Sequence, residues 1–195
     1  QTKLRAPVIP QHYVRRPRLL ALIDDAVAAP LTVVTAPAGS GKTSLLAGWA
    51  GEATMPVAWL SLDEADRDAV QLWTGVIAAL ETLMPGCGVR ASKLIRRPGL
   101  LAEAVATLLD DVEAGDHGHT VLIIDDAHLV DVDDIVAASL ELFVRHLPSS
   151  LHVVLLARRT PRLPIDRLRA RGLLADVHFA ELRFSHEESC QLLSR

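Results

Sequence analysis

The sequence predicts an α/β domain, a parallel sheet with helices packed on both of its faces. Strand-like and helix-like segments alternate along the chain. The strand-like segments are short, uninterrupted apolar runs, as expected of strands buried on both faces. A third observation is the stretch "LTVVTAPAGSGKTSLLAGWA" (31–50). It passes from a β-branched run into an Ala- and Leu-rich helix through a turn that holds two glycines and a lysine. The length of 195 residues suits one such domain with a sizeable core.

The elements follow in order. Residues 1–17 carry three prolines and little apolar periodicity, so they read as an extended lead-in. "RLLALIDDAVA" (18–28) spaces Leu19, Leu20, Ile23 and Val27 as a helix does. Leu31–Thr35 is a first strand, and the helix after it runs from near Gly41 to about Gly51. "MPVAWLSL" (55–62) is a second strand. Residues 69–84 place Val70, Trp73, Ile77, Leu80 and Met84 on one helical face. "PGCGVRASKLIRRPG" (85–99) reads as a loop, and 100–114 as a helix. Val121–Ile124 is the most strongly marked buried strand. A helix over 134–147 opens with acidic residues, as its dipole favours. Residues 151–157 form a fourth strand, 164–172 a short Arg-rich helix, and Val177 to Phe184 a fifth strand. Ser185 and Glu188 have the spacing of a capping box for a last helix.

Composition bounds the function. Half the residues are hydrophobic and the net charge is -4, which marks a globular chain with no general attraction to phosphate backbones. Aromatics make up 4%, too few for a single-strand stacking platform. No apolar run is long enough to span a bilayer and no signal peptide is visible, so no membrane partner is expected. Cys87 and Cys190 stand far apart without metal spacing, consistent with a reducing cytoplasmic setting. The chain begins without Met and stops inside a helical pattern, so a longer polypeptide is expected.

The turn after the first strand, "APAGSGKT", follows G-x-x-x-x-G-K-[ST] except that Ala36 stands at the first position. In that pattern backbone N–H groups wrap phosphates at a helix N-terminus. Gly39 and Gly41 take conformations that a Cβ would obstruct. Residues Ala36, Pro37, Ala38, Gly39, Ser40, Gly41, Lys42, Thr43 and Ser44 are therefore the candidate nucleotide cradle. Lys42 would reach the β/γ-phosphates, and the Thr43 hydroxyl would ligand Mg²⁺. The bland reading, a flexible turn with a solvated lysine, loses ground because a strand leads directly in and a helix directly out.

"VLIIDDAH" ends an apolar strand in Asp125 and Asp126, two carboxylates costly to place there without a cation or a hydrogen-bond network. Asp125 suits the Mg²⁺ shell, and Asp126 suits polarising an attacking water. His128 is more readily structural than catalytic. "LHVVLLARRTP" ends a further strand in Arg158 and Arg159. A guanidinium at that end suits the γ-phosphate, which makes Arg158 the third catalytic candidate beside Lys42 and Asp126.

"TKLRAPVIPQHYVRRPRLL", "APAGSGKTSLLAGWA", "WLSLDEADRD", "LIIDDAHLV", "LLARRTP" and "LRARGLL…LRFSHEES" occur in that order. Together they resemble the nucleotide-binding (NB-ARC/AAA-like) domain of the MalT-type STAND ATPases, the large LuxR-type transcriptional activators. The resemblance covers nearly all of the chain. It implies a P-loop NTPase sandwich of three layers whose sheet has the order 5-1-4-3-2. It also implies a switch between resting ADP-bound and active ATP-bound forms with slow hydrolysis. Lys42 and Thr43 match the Walker A pair, Asp125 and Asp126 the Walker B acids, and Arg158 the sensor arginine. Val14 and Arg16 match the stretch that contacts the adenine. The implied layout is a lead-in over 1–17, a nucleotide-binding domain over 18–184, and from 185 to 195 the start of a helical subdomain. The partners it implies are ATP or ADP and the helical, winged-helix, sensor and DNA-binding parts of the same polypeptide. DNA would be met only through a C-terminal helix-turn-helix outside this chain, and ATP-dependent self-association belongs to the full-length protein.

Three further patterns carry less. "DEADRD" (63–68) lacks the glycine and the final glutamate of a calcium loop. "HGH" (117–119) lacks further ligands in reach by spacing. Arg158 to Arg171 holds six arginines in 14 residues, and the acidic chain favours an ion-paired helix face there over a nucleic-acid patch. A stand-alone kinase or mechanical ATPase, and a nucleic-acid-binding domain, remain the alternatives to a regulatory switch.

Overall fold

The computed structural model describes residues 2–11, 13–115, 117–130 and 133–193. After a 3₁₀ turn at Thr2–Leu4 the described elements are α1 (Pro17–Ala26), β1 (Leu31–Thr35), α2 (Lys42–Glu52), β2 (Val57–Ser61), α3 (Ala69–Glu81), α4 (Val89–Ile95) and α5 (Leu101–Ala114). They continue as β3 (Thr120–Asp125), α6 (Asp134–Arg145), β4 (Leu151–Ala157), α7 (Ile165–Ala170), β5 (Leu174–His178), α8 (Phe179–Leu182) and α9 (His186–Leu193). The strands form one parallel sheet in the order β2-β3-β4-β1-β5, the order that the resemblance implies.

Period-two alternation divides each strand between two apolar layers. Val33, Leu60, Leu122, Ile124 and Leu155 face one side, with Trp73 and Phe143 from α3 and α6. Val34, Trp59, Val121, Ile123 and Leu156 face the other, against Leu19 and Ile23 of α1 and Leu45 and Trp49 of α2. Trp73 meets Phe143 edge to face at 5.1 Å and donates its indole N–H to Ser139 Oγ at 2.9 Å, so this buried ring has no orphan donor. Both faces of the sheet are therefore covered, as the apolar strands require.

Register fixes where chemistry is placed. Thr35 pairs with Ala157 and His178, and Ser61 pairs with Asp125. The segments that follow these residues all leave from one edge of the sheet, the C-terminal edge where open α/β sheets bind ligands.

Two segments differ from the sequence expectation. Within 85–99, α4 replaces the expected loop. Gly86 and Gly88 turn at φ +87° and +80°, and Ala91 and Ile95 bury a face that the interleaved Arg90 and Lys93 obscure in the sequence. The fifth strand begins earlier, at Leu174, because β5 pairs from there with Leu31. After His178 the chain coils into α8, whose Glu181 carboxylate accepts the His178 N–H at 2.7 Å. The capping box of α9 forms as expected: Ser185 Oγ accepts the Glu188 N–H at 3.1 Å and Glu188 Oε2 accepts the Ser185 N–H at 2.9 Å. Ser194 and Arg195, the end of the expected last helix, lie outside the described residues. No described helix is long and apolar enough to cross a membrane.

Candidate functional site

β1 ends at Thr35, and its hydrogen bonding continues one residue further, with Ala36 N–H donating to the Ala157 carbonyl at 3.2 Å. Ala36 is buried and is not among the positive-φ residues, so an alanine fits where the pattern has glycine. Gly39 and Gly41 do need their freedom: both have left-handed backbones, at φ +77° and +82°. The chain then enters α2, whose N-cap is Gly41 with no side-chain cap. The first-turn N–H groups of an α-helix have no partner within the helix, and here no side chain supplies one.

A cavity of about 330 Å³ opens in front of these N–H groups, lined by Ala38, Gly39, Ser40, Gly41, Lys42, Thr43, Ser44, Asp126 and Arg158. Lys42 is buried and its Nζ donates to the carbonyls of Ala36 at 2.6 Å and Pro37 at 3.0 Å. Burial lowers its pKa, against the opposing pull of Asp125 and Asp126. The loop thus closes on its own lysine, and an arriving anion competes with two carbonyls for it.

From β3, Asp125 is buried beneath the loop. Its Oδ1 accepts from Thr43 Oγ1 at 3.3 Å and from the Asp126 N–H at 2.9 Å. Burial pushes its carboxyl above the ordinary 3.8 even so. A buried carboxylate beside a hydroxyl is a hard oxygen pair of the kind Mg²⁺ takes, so these residues fit that ion. Asp126 has φ +56°, the positive φ of a non-glycine residue among those described. Such strain clusters at functional sites. Its carboxylate lies 3.9 Å from Arg158 Nη2 and 3.7 Å from His128 Nδ1. Burial lowers the His128 pKa, which favours a neutral ring beside Asp126.

Every residue from Ala38 to Ser44, with Asp125, Asp126 and Arg158, therefore converges on one edge. Val14 and Arg16 do not line the cavity. Val14 is buried, and Arg16 lies at the start of α1 with its Nη2 3.7 Å from the point where a Cβ on Gly41 would stand. Sequence reasoning did not anticipate that backbone neighbourhood, nor the left-handed Asp126; neither has a signal in a local pattern.

Residues of two of the weaker patterns have local partners. Asp63 and Asp68 cap the turns that follow them, and Lys3 bridges Asp63 and Asp66 at 2.7 and 2.8 Å. Arg162 pairs with Asp134, and Arg169 with Asp166 and Asp176, each at 2.8 Å. Among the described residues no group of three or more His, Cys, Asp or Glu is arranged to hold a metal ion.

No family model matches the chain. Over 99% of its length it is 35% identical to the HTH-type transcriptional regulator MalT of Serratia proteamaculans, of which it spans 22%. Its fold resembles that of a Walker-type ATPase of Pyrococcus abyssi, with a TM-score of 0.63 and 17% identity over 97% of this chain and 59% of that one. It also resembles the ORC1 protein of Aeropyrum pernix, solved in complex with DNA, with a TM-score of 0.58 and 14% identity over 95% of this chain and 50% of that one. These structural likenesses show a P-loop NTPase fold.

Proposed function

We propose that this chain, a MalT homologue along its whole length with a P-loop ATPase fold, is the ATP-binding switch domain of a signal-responsive transcriptional activator of the STAND class. The observation that carries the reading is the uncapped N-terminus of α2, which faces the same cavity as Lys42, Asp126 and Arg158. N–H groups, a lysine and an arginine around one cavity suit a polyphosphate.

The residues take the following roles. Backbone from Ala36 to Ser44 cradles the phosphates, and Lys42 leaves its two carbonyls for the β/γ-phosphates. Thr43 and Asp125 hold Mg²⁺, which neutralises phosphate charge when bound. Asp126 takes a proton from the attacking water, and Arg158 binds the γ-phosphate. Val14 and Arg16 meet the adenine side; the buried Val14 side chain leaves that contact to its backbone. Residues 1–17 serve as a lead-in to the base, 18–184 as the nucleotide domain, and 185–195 as the start of a helical subdomain.

Hydrolysis is slow and resets an active ATP form. Asp126 is already engaged by Arg158, and water exclusion falls to neighbouring domains. Inducer sensing, DNA binding through a helix-turn-helix and ATP-dependent self-association belong to the rest of a cytoplasmic regulator.

Steady-state phosphate release, measured alone, with promoter-length duplex DNA and with small acceptors, tests this reading. A slow rate that neither addition raises is expected. Turnover in the ordinary enzyme range of about 1–10³ s⁻¹ supports a stand-alone enzyme instead. Stimulation by DNA supports a nucleic-acid-dependent ATPase.

A further inference from the structure

Arg16 is 3% exposed, yet among the described residues no carboxylate lies within hydrogen-bonding distance of it. Burial lowers its pKa, and Glu188 opposes this only at longer range. Its Nη1 donates to the Leu182 carbonyl at 2.7 Å, and its guanidinium carbon lies 4.6 Å from the centre of the Phe184 ring. Its Nη2 is the group beside Gly41, the N-cap of α2. One rigid, planar cation therefore contacts the segment that joins α8 to α9 and lies beside Gly41 of the candidate cradle.

Arg18, two residues along, grips the same segment. It donates to the carbonyls of Glu181 at 2.9 Å and Arg183 at 3.1 Å, and pairs with Glu188 Oε2 at 3.3 Å. That Glu188 oxygen is the one that closes the α9 capping box on the Ser185 N–H. The start of α1 thus holds the 181–188 connector by three carbonyls, one ring and one carboxylate.

From this geometry we infer that Arg16 is a positioning residue that couples occupancy of the phosphate cradle to the 181–188 connector and so to α9. The inference rests on the nucleotide-binding reading above. A phosphate at the α2 N-terminus supplies the anion that a buried guanidinium lacks. Because the guanidinium is planar and stiff, a shift of Nη2 toward Gly41 moves Nη1 and the stacked face with it. The connector then follows through Leu182 and Phe184.

The test is amide hydrogen exchange of residues 181–189 in the full-length polypeptide, with and without Mg·ADP, alongside calorimetric titration of the same nucleotide. In the wild type, bound Mg·ADP is expected to change exchange across the connector by about tenfold or more. Phe184→Leu removes the stacked ring and is expected to keep ADP affinity within about twofold while losing the change in exchange. Arg16→Lys keeps a charge near Gly41 but lacks the fork and plane, and should lose the coupling too. Bound ADP with no change at the connector, or an undiminished change in Phe184→Leu, overturns the coupling alone. No binding of ADP overturns the nucleotide reading and the coupling with it.

Discussion

Thr43 donates its hydroxyl to Oδ1 of Asp125 at 3.3 Å, joining the first turn of α2 to the end of β3 across 82 residues of sequence. If this pair holds Mg²⁺, Asp125→Asn should loosen the magnesium-dependent part of nucleotide binding and spare the part measured in chelator. Titration of ADP with and without Mg²⁺ reads the difference. Equal loss under both conditions would remove the metal role from Asp125.

Asp126 should behave differently. Asn tolerates the left-handed backbone that Asp126 adopts, so Asp126→Asn tests the carboxylate without adding strain. Mg·ATP affinity is expected to stay within about twofold, and hydrolysis to fall by about 100-fold or more, the usual scale of a lost general base. Single-turnover phosphate release reads the second effect. Identical behaviour of the two aspartate variants would end the division of labour between them.

The ligand-free protein should carry a cost at Asp125. Burial raises its pKa above 3.8, so the folded state binds the proton more tightly than the unfolded one. Stability is then lost as pH rises from 3.8 through the raised value. Asp125→Asn, which cannot ionise, should melt above the wild type at neutral pH, with the advantage shrinking toward acid pH. Thermal melts across pH check this; a variant that melts lower at neutral pH contradicts it.

Gly48 tests the lead-in. A mid-helix Gly→Ala change ordinarily gains about 1 kcal/mol. Here a Cβ on Gly48 would stand 2.5 Å from the Tyr13 hydroxyl and 2.9 Å from the ring carbon that carries it. Gly48→Ala should therefore displace Tyr13 and speed proteolysis beside Tyr13 and Val14, half-buried and buried residues of the lead-in. Unchanged cleavage there would show that the lead-in adapts.

The strands of this chain were largely legible because burial on both faces leaves uninterrupted apolar runs, as in Leu31–Thr35 and Leu151–Ala157, whose boundaries match the observed ones. β5 was misplaced because it is an edge strand, reading "LADVH" with a half-buried Asp176 and an exposed His178. α4 was hidden because Arg90 and Lys93 interrupt its seven residues and two turning glycines directly precede it. The glycine turn and the acid pair, which the fold brings to one edge, were legible as motifs because each lies within one contiguous stretch. The link from Arg16 to Leu182 spans 166 residues and depends on β1 and β5 lying side by side, which no local pattern records.

The central claim is that the loop closed on Lys42 is a phosphate grip, and calorimetric titration of Mg·ADP and Mg·ATP into wild type and Lys42→Ala tests it most directly. Charge-assisted hydrogen bonds are worth about 1.5–3 kcal/mol each, so both nucleotides should bind the variant about 10- to 100-fold more weakly. Wild-type affinity in Lys42→Ala, or no binding by the wild type, would contradict the account.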